Sequence, residues 1–190
     1  MSIINDPDAL DRADMEKLQA GHDAALNDLM ARHATPVFHF LCRMTGNEED
    51  ANDLAQETFV RVFRSCKSFR SGEKFSTWLF TIAANLGRNH FRWRSRHPNV
   101  SMDAENSETS QTLGSTLPAN SPAPNDAALA GERAAAVRKA VQGLPEDLRE
   151  AIVLCEWEER SIAEAATILE ATPKAVESRL YRARQILRER

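Results

Sequence analysis

Apolar residues along this chain recur at intervals of three and four, and strictly alternating or β-branched runs are few, so the pattern reads as helix. The spacing predicts helices near residues 13–20, 23–34, 36–45, 48–66 and 75–96, then near 129–143, 145–158, 161–170 and 173–189. Start signals agree with several of these: Pro145 just inside a helix, Ser161 with Glu164 as a capping box, and Thr172 followed by Pro173 at the first helical position. Between the two sets lies PNVSMDAENSETSQTLGSTLPANSPAPND, Pro98 to Asp126, rich in Ser, Thr, Asn and Pro and almost without large apolar side chains. Such a segment buries too little surface to offset the entropy of ordering. The expected fold class is therefore all-α: two small helical domains, 13–96 and 129–190, joined by a flexible linker over 97–128. A linker of this length spans roughly 30 Å as a coil and roughly 100 Å extended, so the halves can bind well apart.

The last two predicted helices have the layout of a helix-turn-helix: a short helix, a three-residue turn and a second helix opened by Thr-Pro, within SIAEAATILEATPKAVESRLYRARQ. On the second helix Val176, Leu180, Ala183 and Leu187 form one apolar stripe. Opposite it stand Lys174, Ser178, Tyr181, Arg182 and Gln185, with Arg179 and Arg184 on the flanks, groups able to donate to phosphates or base edges.

The helix over 75–96 separates in the same way. Trp78, Leu79, Ile82, Ala83 and Leu86 make a core side, whereas Thr81, Asn85, Arg88 and Arg92 fall at i, i+4, i+7 and i+11. A hydroxyl, an amide and two guanidiniums in one line suit nucleic acid: the arginines hold phosphates and the amide can bond a base. Phe80 and Phe91 lie off both faces and are expected to pack on a neighbouring helix, and Trp78 is expected to anchor the core. The polar loop before this helix, Phe69 to Phe75, is a candidate pocket for an extruded base.

Over 48–66 the pattern buries Ala51, Leu54, Ala55, Thr58, Phe59, Val62 and Phe63, and shows Glu49, Asp53, Gln56 and Glu57 around Val60. Two readings stand side by side here: a solvated acidic face, or a contact spot with an apolar centre in a polar rim.

Charge changes the picture once it is sorted by position. The formal net charge is −4, but residues 1–60 carry 4 basic and 12 acidic side chains while 61–97 carry 9 basic and 1 acidic, and 174–190 carry 6 basic and 2 acidic. Two separate basic surfaces are most simply explained by one polyanion contacted at two places. Cys42, Cys66 and Cys155 stand far apart with no CxxC, and the His residues lack ligand spacing, so no disulfide framework, metal site or cofactor is expected. No stretch is long and apolar enough for a membrane span, and the acidic start has no signal-peptide core, which points to the cytoplasm.

Taken in order, EEDANDLAQETFVRVFRSCKSFR, FSTWLFTIAANLGRNHFRWRSR and LPEDLREAIVLCEWEERSIAEAATILEATPKAVESRLYRARQILRE resemble a bacterial sigma factor of the extracytoplasmic function type, in the sigma-70 family. The resemblance implies a dissociable, non-catalytic specificity subunit of RNA polymerase, with sigma region 2 before the linker and region 4 after it. It implies that the helix bearing Asp53, Gln56, Glu57 and Val60 docks on the β′ clamp helices of core polymerase. Phe75, Thr81, Asn85, Arg88 and Arg92 would recognise and open the minus-ten element, with Asn85 in the base-reading position. Lys174, Ser178, Arg179, Arg182 and Gln185 would read the minus-35 element, while the same domain rests on the β-flap. An anti-sigma factor is a further partner the family implies, though no residue identifies one. Relatives often carry Gly where this chain has Glu170, and a basic residue at Glu177. Two rival readings of the same residues stand beside it. One is a stand-alone helix-turn-helix regulator that needs no polymerase. The other is a metal-dependent enzyme using Asp50, Asp53 and Glu57.

Overall fold

The computed structural model describes residues 7–70, 72–97 and 124–189, and these form eight α-helices, with no strand among the described residues. The first four are α1 (Pro7–Gln19), α2 (Ala25–Thr45), α3 (Glu48–Ser65) and α4 (Phe75–Arg96). The second four are α5 (Pro124–Gln142), α6 (Glu146–Glu156), α7 (Ile162–Ile168) and α8 (Pro173–Arg188). The all-α expectation holds, with four departures in detail.

The pattern suggested a break near Pro36, but α2 runs through it. An interior proline forfeits a backbone bond and costs about 3 kcal/mol. Against that, Ala25 and Leu29 before it and Val37, Phe40, Leu41 and Met44 after it all bury on one side. Burial contributes about 1.5–3 kcal/mol for each of the larger ones. Continuity therefore wins. The helix stops at Gly46, whose φ of 73° places it in the left-handed region and lets its N–H reach Cys42 O at 2.9 Å.

α1 begins at Pro7 rather than near 13, because its early residues have partners on α2. Asp11 accepts from Arg32 Nε at 2.8 Å and meets His33 Nε2 at 2.7 Å, and Asp14 accepts from Arg32 Nη2 at 2.6 Å. Both carboxylates are buried, and burial works against their charge, but His33, Arg32 and Lys17 outweigh it and hold them below their ordinary range. Helix α5 starts five residues before 129, with a proline at its first position. Residues 98–123, most of the expected linker, lie outside the described residues. Pro145 is the N-cap of α6 rather than its first residue, whereas Ser161–Glu164 forms the expected capping box and Thr172 accepts from Ala175 N at 3.2 Å.

The bounds of α4 are those the pattern predicted. Gly87 in its middle is buried, yet an added Cβ would meet nothing nearer than Leu41 Cδ2 at 3.8 Å, an ordinary contact. Close packing therefore does not require glycine there. Gly87→Ala is expected to raise stability by about 1 kcal/mol through helix propensity, read as a higher midpoint in thermal unfolding.

The two halves do not stand apart. α6 and α7 pack against α2 and α4, and buried side chains of both halves, Phe40 and Phe80 with Leu148, Leu154 and Ile168 among them, belong to one hydrophobic cluster.

Candidate nucleic-acid interface

Helix α8 is presented by its own packing. Val176, Leu180 and Ala183 are buried and Leu187 packs partly against the core, which turns Lys174, Ser178, Tyr181 and Arg182 to solvent. Gln185 and Arg179 are half-buried: Gln185 Nε2 donates to Tyr181 Oη at 3.0 Å, and Arg179 lies 3.7 Å from Asp147. The turn before α8 passes through Glu170 at φ 50°, the left-handed region. That conformation explains a preference for glycine in this turn, since it costs a side-chain-bearing residue about 1–2 kcal/mol.

On α4, Thr81, Asn85 and Arg88 are half-buried and Arg92 is exposed. Arg88 donates to the Asn85 side-chain oxygen, which leaves the Asn85 amide nitrogen as the group able to donate outward. A cavity of about 270 Å³ opens beside it between α3 and α4, lined by Arg61, Arg64, Ser65, Ile82 and Asn85. Arg61 and Arg64 were not singled out from the sequence; both sit on α3 and meet Asn85 only through the α3–α4 packing. Trp93, 49% exposed and stacked on His97 at 4.9 Å, adds an aromatic face between Arg92 and Arg94.

The loop before α4 is filled rather than open. Phe69 and Phe75 are buried, their centroids 6.0 Å apart, with Trp78 at 5.3 and 6.2 Å from them, and Gln19 Nε2 ties the Cys66 and Phe69 carbonyls at 2.9 Å each. Phe75, expected at the minus-ten element, is thus a core residue in this structure, because burying its ring gains more than exposing it would. The expectation that Phe80 and Phe91 pack on neighbouring helices holds: Phe80 is fully buried against Phe40, and Phe91 lies under the Arg149 guanidinium at 5.0 Å.

Helix α3 shows one correction. Phe63, expected in the core, is 41% exposed and joins Val60, 39% exposed, three residues away on the same outer face. Asp53 and Gln56 are exposed around them, and Glu57 pairs with Arg61 at 2.9 Å. The carboxylates do not gather into a metal site: Asp50 turns to Arg94 at 2.7 Å and His90 at 3.5 Å, and no cluster of three ligating groups occurs among the described residues. Burial pushes the Cys42 thiol up to about 11, with Glu48 adding to the rise and Arg43 opposing it.

One buried acid stands between the halves. Glu150 on α6 is 3% exposed, and burial pushes its carboxyl up to about 7, against the opposing pull of Arg88 at 3.4 Å; Glu146 adds to the rise and Arg179 opposes it. The native form keeps a proton that the unfolded chain, with an ordinary value of 4.5, has already lost. Stability from this group is present below 4.5 and is lost as pH rises through about 7. Thermal melts from pH 5 to 8 are expected to show a fall for the parent that Glu150→Gln lacks.

Two basic helix faces and an apolar island on an acidic helix, in a single helical chain that ends in a helix-turn-helix, correspond to known proteins. The sigma-70 region 2 profile matches residues 29–97 and the sigma-70 region 4 profile matches residues 134–187. The chain belongs to the sigma-70 family. This sigma factor is 33% identical over 174 residues to the RNA polymerase sigma-H factor of Pseudomonas aeruginosa, covering 91% of this chain and 89% of that one. It is 32% identical over 176 residues to the ECF RNA polymerase sigma factor SigW of Bacillus subtilis, covering 92% and 93%. Among solved structures it is similar to the sigma factor RpoE of Bartonella quintana in complex with the anti-sigma factor NepR, with a TM-score of 0.63 and 26% identity over 86% of this chain and 94% of that one. Such relatives make this chain an alternative sigma factor of the extracytoplasmic function type, not a stand-alone regulator.

Proposed function

We propose that this sigma factor docks on core RNA polymerase through the outer face of α3, then places α4 on the minus-ten element and α8 on the minus-35 element. The observation that carries the reading is one chain with an apolar pair, Val60 and Phe63, on an acidic helix and two separate basic helix faces. An apolar centre in a polar rim is the anatomy of a protein interface, and α3 meets the β′ clamp helices while the C-terminal half rests on the β-flap. Asp53, Gln56 and Glu57 make the rim.

In the downstream head, Arg88 and Arg92 hold phosphates and the Asn85 amide donates to an unstacked base, with the neighbouring cavity and its Arg61 and Arg64 receiving that nucleotide. Extruding a base costs a few kcal/mol, which stacking and hydrogen bonds offset. In the upstream head, Lys174, Ser178, Arg179, Arg182 and Gln185 enter the major groove. The chain performs no covalent chemistry; it is a non-catalytic specificity subunit and works in the cytoplasm, with the polymerase. An anti-sigma factor is a further proposed partner, because a solved relative was captured with one.

Paired variants test the division of labour in transcription with purified core enzyme. Arg182→Ala is expected to weaken use of the upstream element and relax its sequence preference by about 1–3 kcal/mol. Asn85→Ala is expected to impair strand opening, read by single-strand-specific base modification, with core binding unchanged. Loss of core binding in Asn85→Ala would show that α4 is misassigned.

A further inference from the structure

Helix α4 runs on past the core, and from Arg92 to His97 every residue is exposed. Two features keep that end in order. Asp50, in the first turn of α3, holds Arg94 at 2.7 Å with one carboxylate oxygen and faces His90 at 3.5 Å with the other, which braces the last turns of α4 from the side. His97 closes the helix: its backbone N–H donates to the Trp93 and Arg94 carbonyls at 3.1 and 3.2 Å, and its Nδ1 lies 2.9 Å from the same Trp93 carbonyl. The imidazole is thereby laid against the indole of Trp93, with centroids 4.9 Å apart and planes 23° from parallel. Trp93 itself stays 49% exposed.

A single exposed apolar side chain needs no explanation. Trp93 is more than that, because a second ring holds it flat and exposed guanidiniums stand beside it. Arg96 falls one turn beyond Arg92 and so extends the line of Thr81, Asn85, Arg88 and Arg92, and Trp93 lies next to that line. A fixed π-face that accepts any base, with cations alongside for the phosphates, is the make-up of a single-strand stacking platform. Arginines alone would serve an acidic peptide equally well; the flat pair of rings favours a base.

We propose that Trp93, backed by His97, stacks on an unpaired base of the strand that α4 holds, at a second position separate from the base bonded by Asn85. The inference rests on the reading of α4 above and deepens it, adding a contact that is indifferent to sequence. Eight residues separate Trp93 from Asn85, about 12 Å along the helix axis, or three to four nucleotides of a stacked strand at about 3.4 Å each. Arg92 and Arg96 take phosphates along that path. Whereas Asn85 and Arg88 are half-buried, Trp93, Arg92 and Arg96 are exposed as the chain stands, so the platform can meet a single strand without rearrangement.

The test uses the full chain, an oligothymidylate of about twelve nucleotides and an abasic strand of the same length, within the range that single-strand sites cover. Affinities are read by anisotropy of the end-labelled strands over a series of salt concentrations. The parent is expected to bind the thymidylate about tenfold more tightly than the abasic strand. Trp93→Ala should bring the two affinities together and leave the log–log salt slope unchanged, because an indole displaces no counterions, and Trp93→Phe should restore part of the preference. Arg92→Ala with Arg96→Ala, in contrast, should weaken both strands alike and flatten the slope by about 1.4, at about 0.7 for each phosphate contact. Thymidylate should also quench tryptophan emission in the parent but not in Trp93→Ala, since Trp78 and Trp157 are packed against the core. Trp93 is outside that core, so Trp93→Ala is expected to keep the parent's helical circular dichroism. A parent that binds both strands equally, or a Trp93→Ala variant that keeps the preference, overturns the platform, while promoter-specific transcription with core enzyme still upholds the sigma reading. Absence of such transcription overturns that reading and, with no opened strand for α4 to hold, the assignment of the stacked base as well.

Discussion

Val60→Asp is expected to weaken association with core RNA polymerase by about a hundredfold or more while leaving the helical fold and its melting temperature unchanged. Val60 is 39% exposed and belongs neither to the buried core nor to the apolar side chains packed against it. At the proposed clamp interface it would be the desolvated centre, with Phe63 beside it and Asp53, Gln56 and Glu57 around it. Truncating an anchor of that kind costs about 2 kcal/mol or more, and burying an unpaired carboxylate adds several more. The rim is already acidic, so a further negative charge adds to the repulsion there, and pairing with the exposed Arg64 one turn on offsets only about 0.2–0.5 kcal/mol. Equilibrium binding to core enzyme with a labelled sigma factor reads the effect directly. An affinity within threefold of the parent would place the polymerase contact elsewhere.

Arg149→Ala carries the largest expected loss of stability, about 3–5 kcal/mol. The residue is 6% exposed, and its guanidinium donates to four acceptors: Met44 O at 2.7 Å, Gln142 Oε1 at 3.1 Å, Gln142 O at 2.6 Å and Leu144 O at 2.9 Å. Burial pushes its pKa below the ordinary arginine value, with Glu146 opposing, so the charge is held in place by geometry rather than by solvent. Removing it leaves several carbonyls without donors at the ends of α2 and α5, each worth about 1–3 kcal/mol when stranded. It also uncovers the face of Phe91, 5.0 Å away. For a chain of this length the midpoint of thermal unfolding should fall by about 10 °C. Arg149→Lys should recover less than half of the loss, because one ammonium cannot fork to four acceptors. A drop of only a degree or two would mean that these carbonyls find other donors.

Most of the local structure was legible in the sequence because it depends on local rules. The bounds of α4, the Ser161–Glu164 capping box, the Thr172 cap and the buried stripe on α8 follow from periodicity and capping chemistry, which need no knowledge of the neighbours. What escaped depends on residues distant in sequence. Pro36 reads locally as a break, and only the core on both sides of it keeps α2 whole. Phe63 fits an apolar stripe, but none of the described helices covers it. Phe75 sits in a polar loop by sequence and in an aromatic cluster with Phe69 and Trp78 in space. The pairing of Arg88 with Glu150, 62 residues apart, and of Arg149 with Met44, 105 apart, has no local signature at all. A long polar linker favoured the picture of two independent heads, whereas their shared core and polar fastening bring them together.

The central claim is that this chain directs polymerase to promoters and reads them only in its company. The most direct measurement is run-off transcription by purified core RNA polymerase on sheared genomic DNA, with and without the protein, mapping the start sites and measuring DNA binding by the free chain alongside. The account predicts a discrete set of new start sites, each preceded by two shared sequence elements, that appear only with core enzyme and protein together, and weak, unspecific DNA binding by the protein alone. Tight, sequence-specific binding by the free protein, with no new start sites when core enzyme is present, would contradict it.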